Sequence, residues 1–306
     1  MIWALVVGMV LDALLGEPRW LWDRWPHPAV LMGRAVAWAE RRWFDDSILR
    51  GALVYGGLAL GAVGLGLVLA WVPGWWVEAV ALAVLLAQRS LADHVADVAE
   101  ALGLSVPEGR RMVGRIVGRE TREMDEPAVA RAAIESAAEN FSDGVVAPLF
   151  WYLVAGLPGL LLYKVTNTAD SMIGYRTPRH ERFGKAAARA DDVLNWVPAR
   201  LTALAFRALG PVDSPDARPI RMRDIAAEAR RHRSPNAGWP EAALARVLGI
   251  RLSGPRAYAG RLEDHPVVNP AGRDAGASDI EAAVAALWRV WAVLLGLFTL
   301  AALAPL

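Results

Sequence analysis

The 306-residue chain contains no cysteine, which excludes disulfides, thiolate nucleophiles, iron–sulfur clusters and cysteine-ligated zinc. Lysine is nearly as scarce: Lys164 and Lys185 are the only two among 33 basic side chains, the rest being arginine. In a chain that otherwise writes Arg, a Lys points to a need for a compact, titratable amine. An ordinary surface position explains Lys185 equally well, whereas Lys164 borders an apolar run. The five histidines form no H-E-x-x-H or comparable zinc spacing. Neither a P-loop nor a G-x-G-x-x-G fingerprint is present, so those motifs give no sign of nucleotide use. Basic residues are scattered around a net charge of +1, which leaves no electrostatic footprint for nucleic acid. Strand-like alternation between turn signals is scarce as well.

What the chain has in excess is apolar surface: 55% hydrophobic residues and 14 tryptophans, above the usage of an ordinary soluble domain. Apolar segments fall near 2–16, 51–71, 77–91, 145–163 and 283–306. The stretch Gly51–Trp71 carries no charge over 21 residues, about the length needed to cross the hydrocarbon of a bilayer. Ile2–Gly16 lacks a basic leader and an A-x-A site, so it reads as a retained anchor. These features predict an all-α, multi-pass membrane protein organised as a single unit over 1–306. Helical spacing in Val95–Leu104, Ala128–Glu139 and Ala186–Val197 agrees with that class. Pro211–Pro219 and His265–Ser278 have loop composition.

Arginine placement sets an expected orientation. Glu17–Arg50 and Ala92–Gly144 are Arg-bearing, while the Val72–Trp76 turn is uncharged, so the first two are expected on the cytoplasmic side. A full crossing by Val145–Tyr163 would then place Lys164–Glu281 outside. The Gly156-Leu157-Pro158-Gly159 break offers an alternative, a segment that enters and returns or lies buried against protein. The amphipathic Leu194–Leu209 could instead supply a second crossing. With the enter-and-return reading, regions near 92–144 and 164–282 form cytoplasmic catalytic parts.

Chemistry-bearing side chains concentrate between Glu135 and Arg200. Glu135, Glu139 and Asp143 recur at i, i+4 and i+8, an acidic stripe on a helix whose repulsion a cation would relieve. Mg²⁺ binds through one or two carboxylates plus substrate phosphates, and Asn140 lies beside the stripe. Lys164, Asn167 and Ser171 share a helical face with Asp170 at its edge, a set able to hold phosphate and orient a nucleophile. A capped helix end with a snorkelling lysine is the bland alternative. Asp191, Asp192 and Asn195, followed by Arg200, could form a second metal or phosphate-bridging site. Ser234 and Asn236 lie in a polar, rigid run, His232–Trp239, that reads as a substrate loop. Asp12, within the first apolar segment, invites a functional reading by default, although it could simply pair with an Arg. His94, on a helix with Asp93 and Asp97, reads as a structural histidine.

Several long stretches together resemble one family. ENFSDGVVAPLFW, YKVTNTADSMIGY, FGKAAARADDVLNWVPARLTA and SPNAGWPEAALARVLGIRLSGP are similar to the cobalamin biosynthesis protein CobD/CbiB family, the adenosylcobinamide-phosphate synthases. DALLGEPRWLWDRWPHPAVLMGR and RSLADHVADVAEAL fit in the same order, so the resemblance covers most of the chain. The one departure is Glu120 after Arg119, where an Asp is expected. The resemblance implies ATP-dependent amide ligation at the bacterial inner membrane, joining an aminopropanol, as its O-phosphate, to adenosylcobyric acid. It also implies ATP as co-substrate with Mg²⁺, a corrinoid and an aminoalcohol phosphate as ligands, and other membrane-bound cobalamin-pathway enzymes as partners beside membrane lipid.

On that reading Glu139, Asp143 and Asp191 or Asp192 hold the metal. Lys164 and Arg200 neutralise the transferred phosphoryl group, and Asp170 takes the amine proton. Asn140, Asn167, Ser171 and Asn195 orient substrates, while Ser234 and Asn236 contact the aminoalcohol phosphate. Two rivals stay open: a Mg²⁺-dependent membrane phosphoalcohol or prenyl transferase, and a corrinoid-binding transporter. The first needs a D-G-x-x-A-R pattern, but Asp143-Gly144 is followed by Val-Val-Ala-Pro. The second is expected to show paired inverted repeats with broken helices, and only one broken segment is evident.

Overall fold

A computed structural model describes residues 1–175, 177–210, 220–258 and 261–304. The loop expected at Pro211–Pro219 lies outside the described residues. Helix dominates the rest, and one short antiparallel pair, β1 (Arg256–Tyr258) with β2 (Arg261–Glu263), accompanies it. The chain is therefore all-α in class. It divides into two compact units: Met1–Arg89, Asp143–Trp196 and Leu295–Leu306 form the first, Ser90–Ser142 and Val197–Leu294 the second.

The first unit begins with α1 (Ile2–Leu15), the short α2 (Arg19–Trp22) and α3 (Pro28–Trp43). In α4 (Ile48–Ala70), Ser47 caps the first turn by accepting from Arg50 N–H. Leu53, Leu60, Leu65, Leu67 and Val68 of this helix all point outward. A helix this long that is apolar on its exposed face needs hydrocarbon around it, not water. Trp71, Trp75 and Trp76 are exposed at the following turn, where an aromatic belt belongs. Four helices among the described residues are long and apolar enough to cross a bilayer, and the chain is a membrane protein.

Next come α5 (Trp76–Leu85) and α6 (Gln88–Leu104), separated by an extended step at Leu86. The apolar segment expected at Val77–Leu91 is thus broken near its end. Buried Asp12 meets that break: its carboxylate accepts from Gln88 N–H at 3.1 Å and so caps α6. Helix capping, not an arginine, accounts for this acid. Gly8 lets α1 approach α5, because a Cβ there would collide with Leu82.

A π-helical turn, Ser142–Val146, leads into α9 (Ala147–Ile173). Inside α9 the backbone breaks at Ala155 and Gly156, the latter at φ 60° and ψ −148°, with Pro158 just beyond. The chain folds back there. Tyr163 donates to the Asp143 carbonyl at 3.0 Å, whereas a straight helix would carry twenty residues about 30 Å. A Cβ on Gly159 would likewise collide with the Trp151 carbonyl. The two arms, 147–154 and 157–173, therefore form a helical hairpin. Gly66 of α4 sits against Pro158 at its bend, and Tyr55 pairs with Thr166 at 2.8 Å further along. Helix α10 (Lys185–Leu194) then packs on α9 and α4.

In the second unit, α7 (Val106–Val113) and α8 (Glu126–Phe141) pack together. Ser105 and Asp125 cap them, each followed by a proline in the first turn. Helix α11 (Trp196–Leu209) has 14 residues, too few to supply the alternative crossing considered for Leu194–Leu209. Helices α12 (Met222–Ala229) and α13 (Gly238–Leu248) pair, tied at their ends by Arg246 and Asn269 on Glu228. The loop 264–276 is pinned by Arg273, whose guanidinium donates to Asp279 at the start of α14 (Ala277–Leu303). His94 Nδ1 lies 2.7 Å from the Ser90 carbonyl on its own helix, in keeping with a structural histidine.

Candidate active site

The hairpin and α10 assemble a polar network inside the first unit. Asn167, on the second arm, directs its amide nitrogen to two carboxylates: Asp143 Oδ2 at 3.4 Å and Asp191 Oδ1 at 3.3 Å. Asn195, just after α10, donates to Asp191 Oδ2 at 2.9 Å. Its own carbonyl oxygen lies 3.0 Å from the hydroxyl of Tyr163, a side chain with no exposure. That hydroxyl is shared with the Asp143 carbonyl. Trp151 on the first arm donates to the Leu194 carbonyl at 3.0 Å, which fixes the end of α10 against the hairpin.

Both asparagines act as donors here: Asn167 bridges the Asp143 and Asp191 carboxylates, which would otherwise repel, and Asn195 adds a second donor to Asp191. Burial pushes the Asp191 carboxyl above its ordinary range and Asp192 adds to this, while the hydrogen bonds from Asn195 and Asn167 pull the other way. Asp192 itself is half-buried beside them.

Lys164 is half-buried on the second arm, and three acids act on its charge: Asp143, Asp12 and Glu17. The expectation that Lys164 differs from an ordinary lysine has this physical basis, whereas Lys185 is exposed at the start of α10. His27 also feels Glu17 and Lys164. Its Nδ1 accepts from Ala29 N–H at 3.1 Å and caps α3. Burial holds its imidazole below the ordinary value; Glu17 opposes this and Lys164 adds to it.

Other expected members take different positions. Ser171 is exposed and its hydroxyl donates back to the Asn167 carbonyl at 2.9 Å, so its donor is committed to the helix. Asp170 is half-buried and folds over the end of α9, where a Cβ on Gly174 would collide with its Oδ1. The acidic stripe does not persist as drawn. Glu135 is buried in the second unit, paired with Arg119 at 2.7 Å and accepting from Ser253 N–H at 2.6 Å. Asp143 itself lies in the π turn Ser142–Val146, outside the regular α-helical register that the pattern assumed. Glu139 and Asn140 are exposed on α8, and Asn140 donates to the Ser136 carbonyl at 2.9 Å.

The second unit has a cluster of its own. Arg200 donates to Asn236 Oδ1 at 3.2 Å and lies 4.5 Å above the Trp239 ring. Ser234 accepts from the Asn236 and Ala237 N–H groups, both at 3.2 Å, and so shapes the turn into α13. Ser234 is thereby a turn-forming residue, and Asn236 is a buried partner of the arginine.

Sequence reasoning missed Tyr163 as a member of these networks, whereas Glu17 and His27 stood out only as a weak set with Asp12 around the end of the first apolar segment. A signal existed for Tyr163: a hydroxyl in an otherwise apolar run must find a partner when buried. Among the described residues no three His, Asp or Glu side chains converge on a point that could hold a metal ion.

Comparison with known proteins follows the same outline. Residues 5–287 match the sequence model of the family described as CobD/Cbib protein. The Rhizobium meliloti (strain 1021) cobalamin biosynthesis protein CobD is 49% identical over 320 residues, covering 98% of this chain and 96% of that one. The protein of the same name from Brucella anthropi is 46% identical, with the same coverage of both chains. That from Rhodobacter capsulatus is 45% identical over 94% of this chain and 93% of its own. No solved structure matches.

Proposed function

We propose that this chain, which belongs to the CobD/Cbib protein family, is a membrane-bound ligase of cobalamin biosynthesis. Its reaction joins the free propionate of adenosylcobyric acid to the amine of an aminopropanol, carried as its O-phosphate, and gives adenosylcobinamide phosphate. The name shared by the relatives supports the pathway, and the chemistry of the polar network supports the reaction class.

A carboxylate resists attack by an amine because oxide is a poor leaving group. Transfer of the ATP γ-phosphoryl group makes an acyl phosphate and ADP. The amine nitrogen then forms the amide bond as the carbonyl–oxygen bond to phosphate breaks, and the ammonium yields its protons. In the first unit, Lys164, whose charge Asp143, Asp12 and Glu17 favour, offsets charge on the phosphoryl oxygens. Asn167 and Asn195 keep the Asp143 and Asp191 carboxylates in place. Asp170, at the end of the same arm, is the proposed proton acceptor. In the second unit, Arg200, presented by Asn236 and Trp239, suits the phosphate of the aminoalcohol.

Two carboxylates on one amide fit Mg²⁺ in the mode where substrate phosphates complete the shell, and do not fit a resident all-protein site. Asp143 and Asp191 would hold the ion, with Asp192 beside them. Its contribution when bound is to neutralise phosphate charge. Glu139, exposed on α8, is given no such part.

The hairpin is proposed to enter the bilayer and return, which keeps Lys164–Glu281 on the Arg-bearing, cytoplasmic side of a bacterial inner membrane. The observation that carries this reading is the Asp143–Asn167–Asp191–Asn195–Tyr163 network. Its test is an assay of the purified full-length protein with adenosylcobyric acid, ATP–Mg²⁺ and aminopropanol phosphate. ADP and amide are expected in equal amounts. Amide without ATP consumption, or corrinoid flux across vesicles without turnover, would overturn it.

A further inference from the structure

Helices α3 and α4 enclose a cavity of about 440 Å³ lined by Trp38, Ala39, Trp43, Arg50, Leu53, Val54, Gly57 and Leu58. Its size is within the range of small-molecule sites. The polar and apolar ends are distinct. Arg50 is the last charged residue before the uncharged stretch Gly51–Trp71, so it marks the edge of the hydrocarbon. Among the described residues its guanidinium has no hydrogen-bond or ion-pair partner. Trp38 and Trp43 stack edge to face at 4.7 Å beside it, at the depth where tryptophan meets headgroups.

Beyond Arg50 the cavity becomes a groove. Gly57 lies seven residues further along α4, about 10 Å deeper. A Cβ added at Gly57, Gly61 or Gly64 would meet nothing within 4 Å, and these three positions share one helical face. Leu53 is 65% exposed at its rim, while Val54 and Leu58 close its floor against the Phe183 cluster.

We propose that this cavity binds an anionic phospholipid, with its phosphate on Arg50 and an acyl chain along the glycine face of α4. Charge decides among occupants. A second copy of this chain, docked through the same face, would offer the uncharged 51–71 stretch and no acid for Arg50. A lipid phosphate supplies the anion and an acyl chain fills the groove. Arg41 and Arg42, exposed on the last turn of α3, favour a headgroup of net negative charge. The nearby acids are engaged or outward: Glu40 accepts from Arg179 and His180, Asp46 pairs with Arg182, and Asp45 is exposed.

The test is native mass spectrometry of the full-length protein, released from bilayers with equal phosphatidylglycerol and phosphatidylcholine. Wild type is expected to retain the anionic lipid over the zwitterionic one by roughly five-fold, the discrimination expected of one basic side chain near the surface. Arg50→Ala should abolish that preference. Gly57→Leu, which fills open space, should reduce retention of both lipids while elution and thermal unfolding stay as in wild type. Equal retention of the two lipids by wild type would overturn the proposal, as would an unchanged preference in Arg50→Ala or unchanged retention of both lipids in Gly57→Leu. A dimer that Gly57→Leu dissociates with lipid retention unaltered would assign the face to a second copy and overturn it too.

Discussion

The hydroxyl of Tyr163 lies 3.0 Å from the backbone carbonyl of Asp143, a residue twenty positions earlier in the chain. That contact closes the helical hairpin, and the same hydroxyl touches Asn195 and so reaches the acids of the candidate site. Tyr163→Phe removes both interactions and leaves the buried Asn195 oxygen without this donor. It should cost about 1–3 kcal/mol of stability and lower turnover as well. Thermal unfolding in detergent, beside the ligase assay, checks both; a variant as stable and active as wild type would show the contact to be incidental.

Asp191 tests the chemistry itself. Asp191→Asn keeps the size of the side chain but removes the charge that Asn167 and Asn195 are arranged to hold. Turnover should fall by about 10²–10³, with folding intact. The same change at Glu139, exposed on α8, should have little effect. Equal losses at both positions would contradict the division between them.

Much of this was legible beforehand, for identifiable reasons. The uncharged run of α4 and the Gly-Leu-Pro-Gly break are local signals, so the apolar helix and the interruption of α9 were expected at the right places. Asp143, Lys164, Asn167, Asp191 and Asn195 were recognisable because polar groups beside apolar runs are costly. What stayed hidden depends on partners distant in sequence. Glu135 looked like one tooth of an acidic stripe, yet its partners are Arg119 and Ser253. Asp12 looked like an intramembrane acid awaiting a role, yet it caps a helix that begins at Gln88. The π turn after Phe141 has no composition signal and takes Asp143 out of the register on which the stripe relied.

Gly156 makes the hairpin possible. Its φ of 60° with ψ of −148° is a conformation that side chains with a Cβ rarely adopt. Gly156→Ala should therefore destabilise the protein by about 1–3 kcal/mol through backbone strain. The added methyl itself has room, since Pro158 Cδ would be 3.8 Å away. Denaturant or thermal unfolding of the variant measures the cost. No change in stability would mean that the chain can turn here by another route.

The segment linking α9 to α10 is held by Glu40, which accepts from Arg179 at 2.8 Å and His180 at 2.9 Å. Burial raises the Glu40 carboxyl, but the hydrogen bonds and charges of Arg179 and His180 outweigh it and hold the group below its ordinary range. A carboxyl depressed in the folded state stabilises the protein above its unfolded value, about 4, and that contribution is lost as pH falls through the depressed value. The difference in Tm between wild type and Glu40→Gln should be steady near neutrality and shrink below pH about 4. A difference that widens on acidification would reverse the assignment.

Glu135 separates a structural acid from a catalytic one. It is paired with Arg119, and the two side chains are only 6% and 9% exposed. It also accepts from the N–H of Ser253, which sits at φ 62° ahead of Gly254 at φ 97°. Removing the charge leaves a buried guanidinium uncompensated, a loss of about 3–5 kcal/mol. Glu135→Gln should therefore appear first as a lower Tm and poor recovery from membranes. Any protein that does fold should turn over at near wild-type rate per molecule, because the carboxylate has no place among the groups proposed to touch substrate. A stable, well-expressed variant with no activity would return Glu135 to the acidic cluster that its spacing suggested.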